Sequence, residues 1–144
     1  MARHHLPVGA ALLLAAALAA GAALAHGDVT PQPVDVSTLP PVGEDLLSED
    51  PYRGSPAFKE AARVGEHAFA QNCARCHGLG AVSGGIAPDL RKLTPVDDDE
   101  YFIGRVMSGQ VRNGVTYMPP FGEILSQEAI WAIRSWLDTV AIPQ

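Results

Sequence analysis

The most restrictive feature of the sequence is the run Cys73-Ala74-Arg75-Cys76-His77. Two thiols three positions apart lie about one helical turn from each other, and an imidazole follows at once. That spacing lets the thiols reach the two vinyl groups of a porphyrin while the histidine meets the iron from below, so the run reads as a covalent haem attachment site. Three other readings compete. A zinc site would have to recruit His67 or His26, because there is no third cysteine. A thioredoxin-like redox pair would want a βαβ setting, of which the sequence has no sign. A disulfide leaves both His77 and a methionine downstream without a role.

The face of the haem opposite His77 requires a soft or imidazole donor carried by a loop. Of the three methionines, Met1 leaves with the N-terminal leader, and Met107 falls inside an expected helix, where packing accounts for it. Met118 stands in Tyr117-Met118-Pro119-Pro120-Phe121. Two prolines deny that backbone a helix and fix its φ angles, so the thioether is presented with little entropy left to lose. A methionine sulfur favours reduced iron and closes it to substrates, which fits an electron carrier rather than an enzyme. The second ring nitrogen of His77 needs an acceptor. The carbonyl of Pro88, in Gly85-Ile86-Ala87-Pro88-Asp89-Leu90, is the candidate, although a proline that merely shapes a loop explains the spacing nearly as well.

The rest of the chain sets the frame. Residues 1–25 combine Arg3, an apolar run over residues 10–25 and the small triplet Ala23-Leu24-Ala25, the pattern of a signal peptide cleaved after Ala25. The run is Ala-rich and short for a membrane span. Beyond this leader, the remainder of the 144 residues is room for one domain. A net charge of −6 argues against nucleic-acid binding through backbone phosphates and suits a basic or mixed protein partner. Residues 26–56 hold six prolines and few large apolar side chains, so they read as an extended spacer. Leu39, Val42, Leu46, Leu47 and Tyr52 leave open that the segment lies along the domain.

The domain itself spans residues 57–144. A first helix is expected over residues 57–72, with Ala61, Val64, Gly65, Ala68 and Phe69 on one stripe. A second starts at Asp97 or Asp98 and ends at about Ser108 before Gly109. A third is capped by Ser126 and carries Ala129, Ile130, Ile133, Trp136, Leu137 and Val140 on one face. Trp131 falls on the other side, covered by the spacer or left on the surface. No run alternates long enough to be a convincing strand. The fold class is therefore all-α, three main helices and loops around one haem, whose apolar bulk supplies what so short a chain lacks.

Taken together, the helix bearing Gly65 and Phe69 before Cys73-x-x-Cys76-His77, then Pro88, then Met118-Pro119, then a terminal helix bearing Ile133 and Trp136, resemble a class I cytochrome c over about residues 57–140. The resemblance implies that the Pro88 carbonyl holds His77. It also implies that the first and last helices cross, with Gly65 admitting Trp136 and Phe69 meeting Ile133. The stretches HGDVTPQPVDV, QNCARCHGL, SGGIAPDLRKL, YMPPFGEI and SQEAIWAI are similar to PedF-type periplasmic cytochromes c, which accept electrons from quinoprotein (pyrroloquinoline-quinone) alcohol dehydrogenases. That resemblance implies one covalent haem c and passage of electrons from such a dehydrogenase to a terminal oxidase or another cytochrome. Two alternatives stay open: a general carrier of another periplasmic chain, and a haem enzyme or gas sensor in which Met118 dissociates. Docking is expected near Ala74, Ala81, Val82 and Ile86, with Pro119, Phe121 and Ile124 on the methionine side and Asp89 and the acidic run 97–100 steering, although packing on the porphyrin explains Ile86 and Phe121 at least as well.

Overall fold

The crossing of the first and last long helices organises the structure, a computed structural model that describes residues 30–143. Helix α1 (Phe58–Asn72) buries Ala61, Val64, Gly65, Ala68 and Phe69, the stripe expected from its spacing. Helix α4 (Gln127–Val140) starts where the Ser126 hydroxyl accepts a hydrogen bond from the Ala129 N–H, 3.4 Å away. The helices meet at Gly65, where a Cβ would lie 1.8 Å from the carbonyl oxygen of Ala132. Only a residue without a side chain permits that approach. The aromatic partners differ from the expected ones: Phe69 packs on Trp136, ring centroids 4.6 Å apart, while Gly65 faces the Ala132–Ile133 backbone. The exchange reflects the depth of the crossing, which puts backbone against backbone at Gly65 and leaves Trp136 to the next turn of α1.

Between these helices lie the single turn α2 (Ala74–His77), helix α3 (Asp99–Ser108) and two strands, β1 (Gln110–Arg112) and β2 (Val115–Met118). The strands form an antiparallel hairpin, which corrects the expectation of no strand. Asn113 and Gly114, both with positive φ (51° and 77°), make the mirror-image turn that Asn-Gly favours. A bulge between Gln110 and Val111 sets Gln110 opposite Met118.

Helix α4 is buried on every side from Ala129 to Leu137, not on one face alone. The second side is covered because the proline-rich segment packs along the domain and is not a free spacer. Leu39 and Tyr52 are in the core, Val42 and Leu47 lie against it, and Leu46 points to solvent. The Gln127 Oε1 accepts both the Leu47 N–H at 2.6 Å and the indole Nε1–H of Trp131 at 3.2 Å, so Trp131 is fully buried on the segment's side of α4. Pro31–Gln144 accordingly cluster as one unit. The signal peptide read over residues 1–25 lies outside the described residues.

An ion cluster binds this segment to α3 and α4. The buried Asp99 carboxylate accepts from Arg53 at 2.6 and 3.0 Å, from Arg134 Nε at 2.7 Å and from the Asp50 N–H at 3.0 Å. Asp138 accepts from Arg53 and Arg134 at 2.8 and 2.6 Å, and the Ser135 hydroxyl donates to Asp50 at 2.7 Å. Burial alone would raise the Asp99 pKa. The Arg53 and Asp50 hydrogen bonds, with the charge of Arg134, outweigh it and hold the carboxyl below its ordinary 3.8. A carboxyl shifted in that direction stabilises the fold above its unfolded pKa and ceases to as pH falls through the folded value.

Gly65→Ala should destabilise by about 3 kcal/mol or more, because the clash is with backbone that cannot turn aside; urea unfolding measures it. Asp99→Asn should cost about 3 kcal/mol at pH 7 by leaving the buried Arg134 and the half-buried Arg53 short of a counter-charge, and the gap from the parent should narrow as pH falls below about 4.

Candidate functional site

Helix α1 runs almost directly into the attachment motif. The Cys73 N–H still donates to the Phe69 carbonyl at 2.8 Å, and Cys76 and His77 both donate to the Cys73 carbonyl, at 3.1 and 3.0 Å. The two sulfurs therefore leave one short helical segment a turn apart, as the spacing requires. Gly78 closes it with φ 81°, and a Cβ there would lie 1.9 Å from the Val82 carbonyl oxygen. The glycine is required on both counts, conformation and space.

His77 is buried, and its Nδ1 lies 2.9 Å from the Pro88 carbonyl oxygen. A carbonyl only accepts, so Nδ1 carries the proton and the Nε2 lone pair is free for a metal. The loop that delivers this carbonyl is fastened on each side. Ser83 Oγ donates to the Ala87 carbonyl at 2.5 Å and accepts from the Gly85 N–H at 3.0 Å. Asp89 caps the turn at Leu90–Lys92 and pairs with Arg91 at 2.7 Å, and the Arg91 guanidinium holds its carboxyl down at about 2.

Met118, at the end of β2, is half-buried against the core. Its backbone rests on Gly109, whose φ is 68° and whose missing Cβ would lie 2.4 Å from the Met118 carbonyl oxygen and 2.7 Å from Pro119 and Pro120 backbone atoms. Beyond the prolines the chain returns to α3: Phe121 N–H donates to the Val106 carbonyl at 3.0 Å and Gly122 N–H to that of Met107 at 3.2 Å. These carbonyls belong to the last turn of α3, where intrahelical donors have run out. Met107 packs against Gly122 and the core.

The remaining expectations divide. Of the residues expected at the haem edge, Val82, Ile86 and Ile124 are exposed, and Ala81 and Phe121 are buried. Leu79, 80 % exposed beside the motif, joins the exposed set although its sequence position does not single it out. Ser83 is equally unmarked, because a lone serine in a glycine-rich loop carries no sequence signal. Gly109 is more than the helix end that its position suggests.

Chemistry narrows the competing readings. Burial, and secondarily the Cys76 sulfur, push the Cys73 thiol up to about 12, opposite to the depressed value a reactive Cys-x-x-Cys pair needs. Among the described residues no three His, Cys, Asp or Glu side chains are grouped to hold a metal ion. Two thiols on one turn and one oriented imidazole are donors that fit a covalently held iron porphyrin, and His26, one of the two histidines a zinc site would have to recruit, lies outside the described residues.

Comparison with known proteins agrees. The family described as cytochrome C oxidase, cbb3-type, subunit III matches residues 60–137. A cytochrome c550 of Pseudomonas aeruginosa is 50% identical over 135 residues, 92% of this chain and 93% of that protein. The quinohemoprotein alcohol dehydrogenase ADH-IIG of Pseudomonas putida is 43% identical over 65 residues, 45% of this chain but 8% of the enzyme. The cbb3-type cytochrome c oxidase subunit FixP of Rhizobium meliloti is 36% identical over 80 residues, 47% of this chain and 26% of that subunit. No solved structure matches.

Gly109→Ala should cost about 2–4 kcal/mol, the sum of a left-handed alanine and an overpacked backbone contact. A lower urea midpoint at unchanged slope would show it.

Proposed function

The chain belongs to the cytochrome c family, and from that premise we propose that it is a periplasmic single-electron carrier between a quinoprotein alcohol dehydrogenase and a terminal oxidase or another cytochrome. That it is an electron carrier and not an enzyme, with haem c as its cofactor, comes from the family itself. The site residues, the compartment and the partners make up the proposal.

In this reading Cys73 and Cys76 form the thioethers, and His77 and Met118 ligate the iron. The observation that carries it is the 2.9 Å contact from His77 Nδ1 to the Pro88 carbonyl, which fixes the tautomer with Nε2 free and sets the ring plane. When bound, haem supplies a one-electron ferric/ferrous couple. The protein's part is to keep that couple simple. A main-chain carbonyl orients the imidazole without adding a charge beside it. The Met118 sulfur favours the reduced state, and the paired prolines hold it with little freedom to leave. Export is supported by the leader pattern of residues 1–25. No helix among the described residues is long and apolar enough to cross a membrane.

The likeness to a segment of a quinohemoprotein alcohol dehydrogenase favours that enzyme class as donor: a domain of this kind already sits in one such chain. The likeness to a cbb3-type oxidase subunit favours an oxidase as acceptor.

Mixing the oxidised protein with a pyrroloquinoline-quinone-dependent alcohol dehydrogenase and alcohol should produce ferrous haem at a rate set by dehydrogenase concentration; no reduction would refute that donor. The haem should survive acid-acetone extraction, and Cys73→Ser should leave one thioether and poor maturation. Met118→Ala should abolish the near-infrared sulfur-to-iron band and lower the potential, whereas Met107→Leu should keep the band.

A further inference from the structure

Arg105 grips both polar groups of a single residue. Its own backbone carbonyl accepts from the Gly109 N–H at 2.8 Å, and its guanidinium Nη1 donates to the Gly109 carbonyl at 3.1 Å and also to the Gln110 side-chain oxygen. Gly109 is the residue on which the Met118-Pro119-Pro120 backbone rests, and Gln110 is the strand partner of Met118 across the bulge. The guanidinium is itself held, stacked 5.1 Å from the centroid of the Tyr101 ring one turn earlier on α3.

We propose that Arg105 is a positioning residue for the Met118 thioether. The inference rests on the reading of Met118 as an iron ligand and adds what keeps it in place. A hairpin of three and four residues, exposed along almost its whole length, has little burial of its own to fix where its last residue sits. The helix ahead of it is firm, with Phe102, Ile103 and Val106 buried. Between the two stands Gly109, which has no side chain to hold it and the widest backbone freedom of any residue. A permanently charged donor nitrogen that bonds both Gly109 and Gln110 from the helix side transmits the rigidity of α3 to the strand opposite. The sulfur then stays near its target, and a competing ligand has to displace a loop already held at its base.

The decisive quantity is how readily an outside ligand replaces the sulfur. Imidazole titrated into the ferric holoprotein, followed at the near-infrared sulfur band, should bind Arg105→Ala about tenfold more tightly than the parent. That is the scale on which losing charged hydrogen bonds weakens a loop. Arg105→Lys, which keeps the charge but loses the planar guanidinium and some of its reach, should fall between them. Arg112→Ala, in the same hairpin but away from Gly109, should match the parent. An Arg105→Ala affinity within twofold of the parent overturns the proposal, as does an equal gain in Arg112→Ala. If Arg105→Ala yields no folded holoprotein, Gln110→Ala removes one of the two acceptors and should tighten imidazole binding in the same direction; an unchanged affinity there overturns it equally. The two readings separate through Met118→Ala: a band that survives this change refutes the ligand assignment and Arg105's role with it. A band lost in Met118→Ala together with an unchanged Arg105→Ala titration refutes the positioning role alone.

Discussion

The contact on which the rest of the structure depends is the approach of α1 to α4 at Gly65. Helix α1 continues into the Cys73 turn without a flexible joint, so the depth of that crossing fixes where the sulfurs and His77 stand. Helix α4 in turn carries Arg134 and Asp138, which with Arg53 enclose Asp99 at the first turn of α3. The far end of α3 holds Met118 through Gly109, Val106 and Met107. Both proposed iron ligands thus trace back to one glycine, by two separate routes through the fold.

How much of this the sequence shows depends on how local each signal is. The three helices, the Ser126 cap and the buried stripes are legible because periodicity and caps are properties of neighbouring residues. Cys73, Cys76, His77 and Met118 stand out in the sequence as the proposed haem residues because their chemistry is unusual, whereas Pro88 is singled out by the resemblance to class I cytochromes c rather than by its spacing alone. The hairpin is hidden: its strands have no buried face to impose alternation, although Asn113-Gly114 carries the turn signal. The pairing at the crossing is exchanged because stripes say which residues face inward and not which meet.

The proline-rich segment is the clearest case of what a sequence conceals. Its composition is that of a spacer, yet Asp50 and Tyr52 are buried and Arg53 is half-buried beside them. What holds it is not propensity but charge and hydrogen bonds made with residues far along the chain: Asp50 with Ser135, Arg53 with Asp99 and Asp138. Such pairings leave no local trace. They also explain how α4 tolerates Arg134 and Ser135 in its buried middle, since every polar side-chain atom buried among the described residues has a partner.

Crossing the first helix with the last has a consequence in time. The Gly65–Ala132 contact joins residues from opposite ends of the domain, so whichever end of the chain is delivered first, it waits for the other before the fold can close. Closing so long a loop costs chain entropy that the contact has to offset. The two ends of the domain are thereby made interdependent by the topology alone.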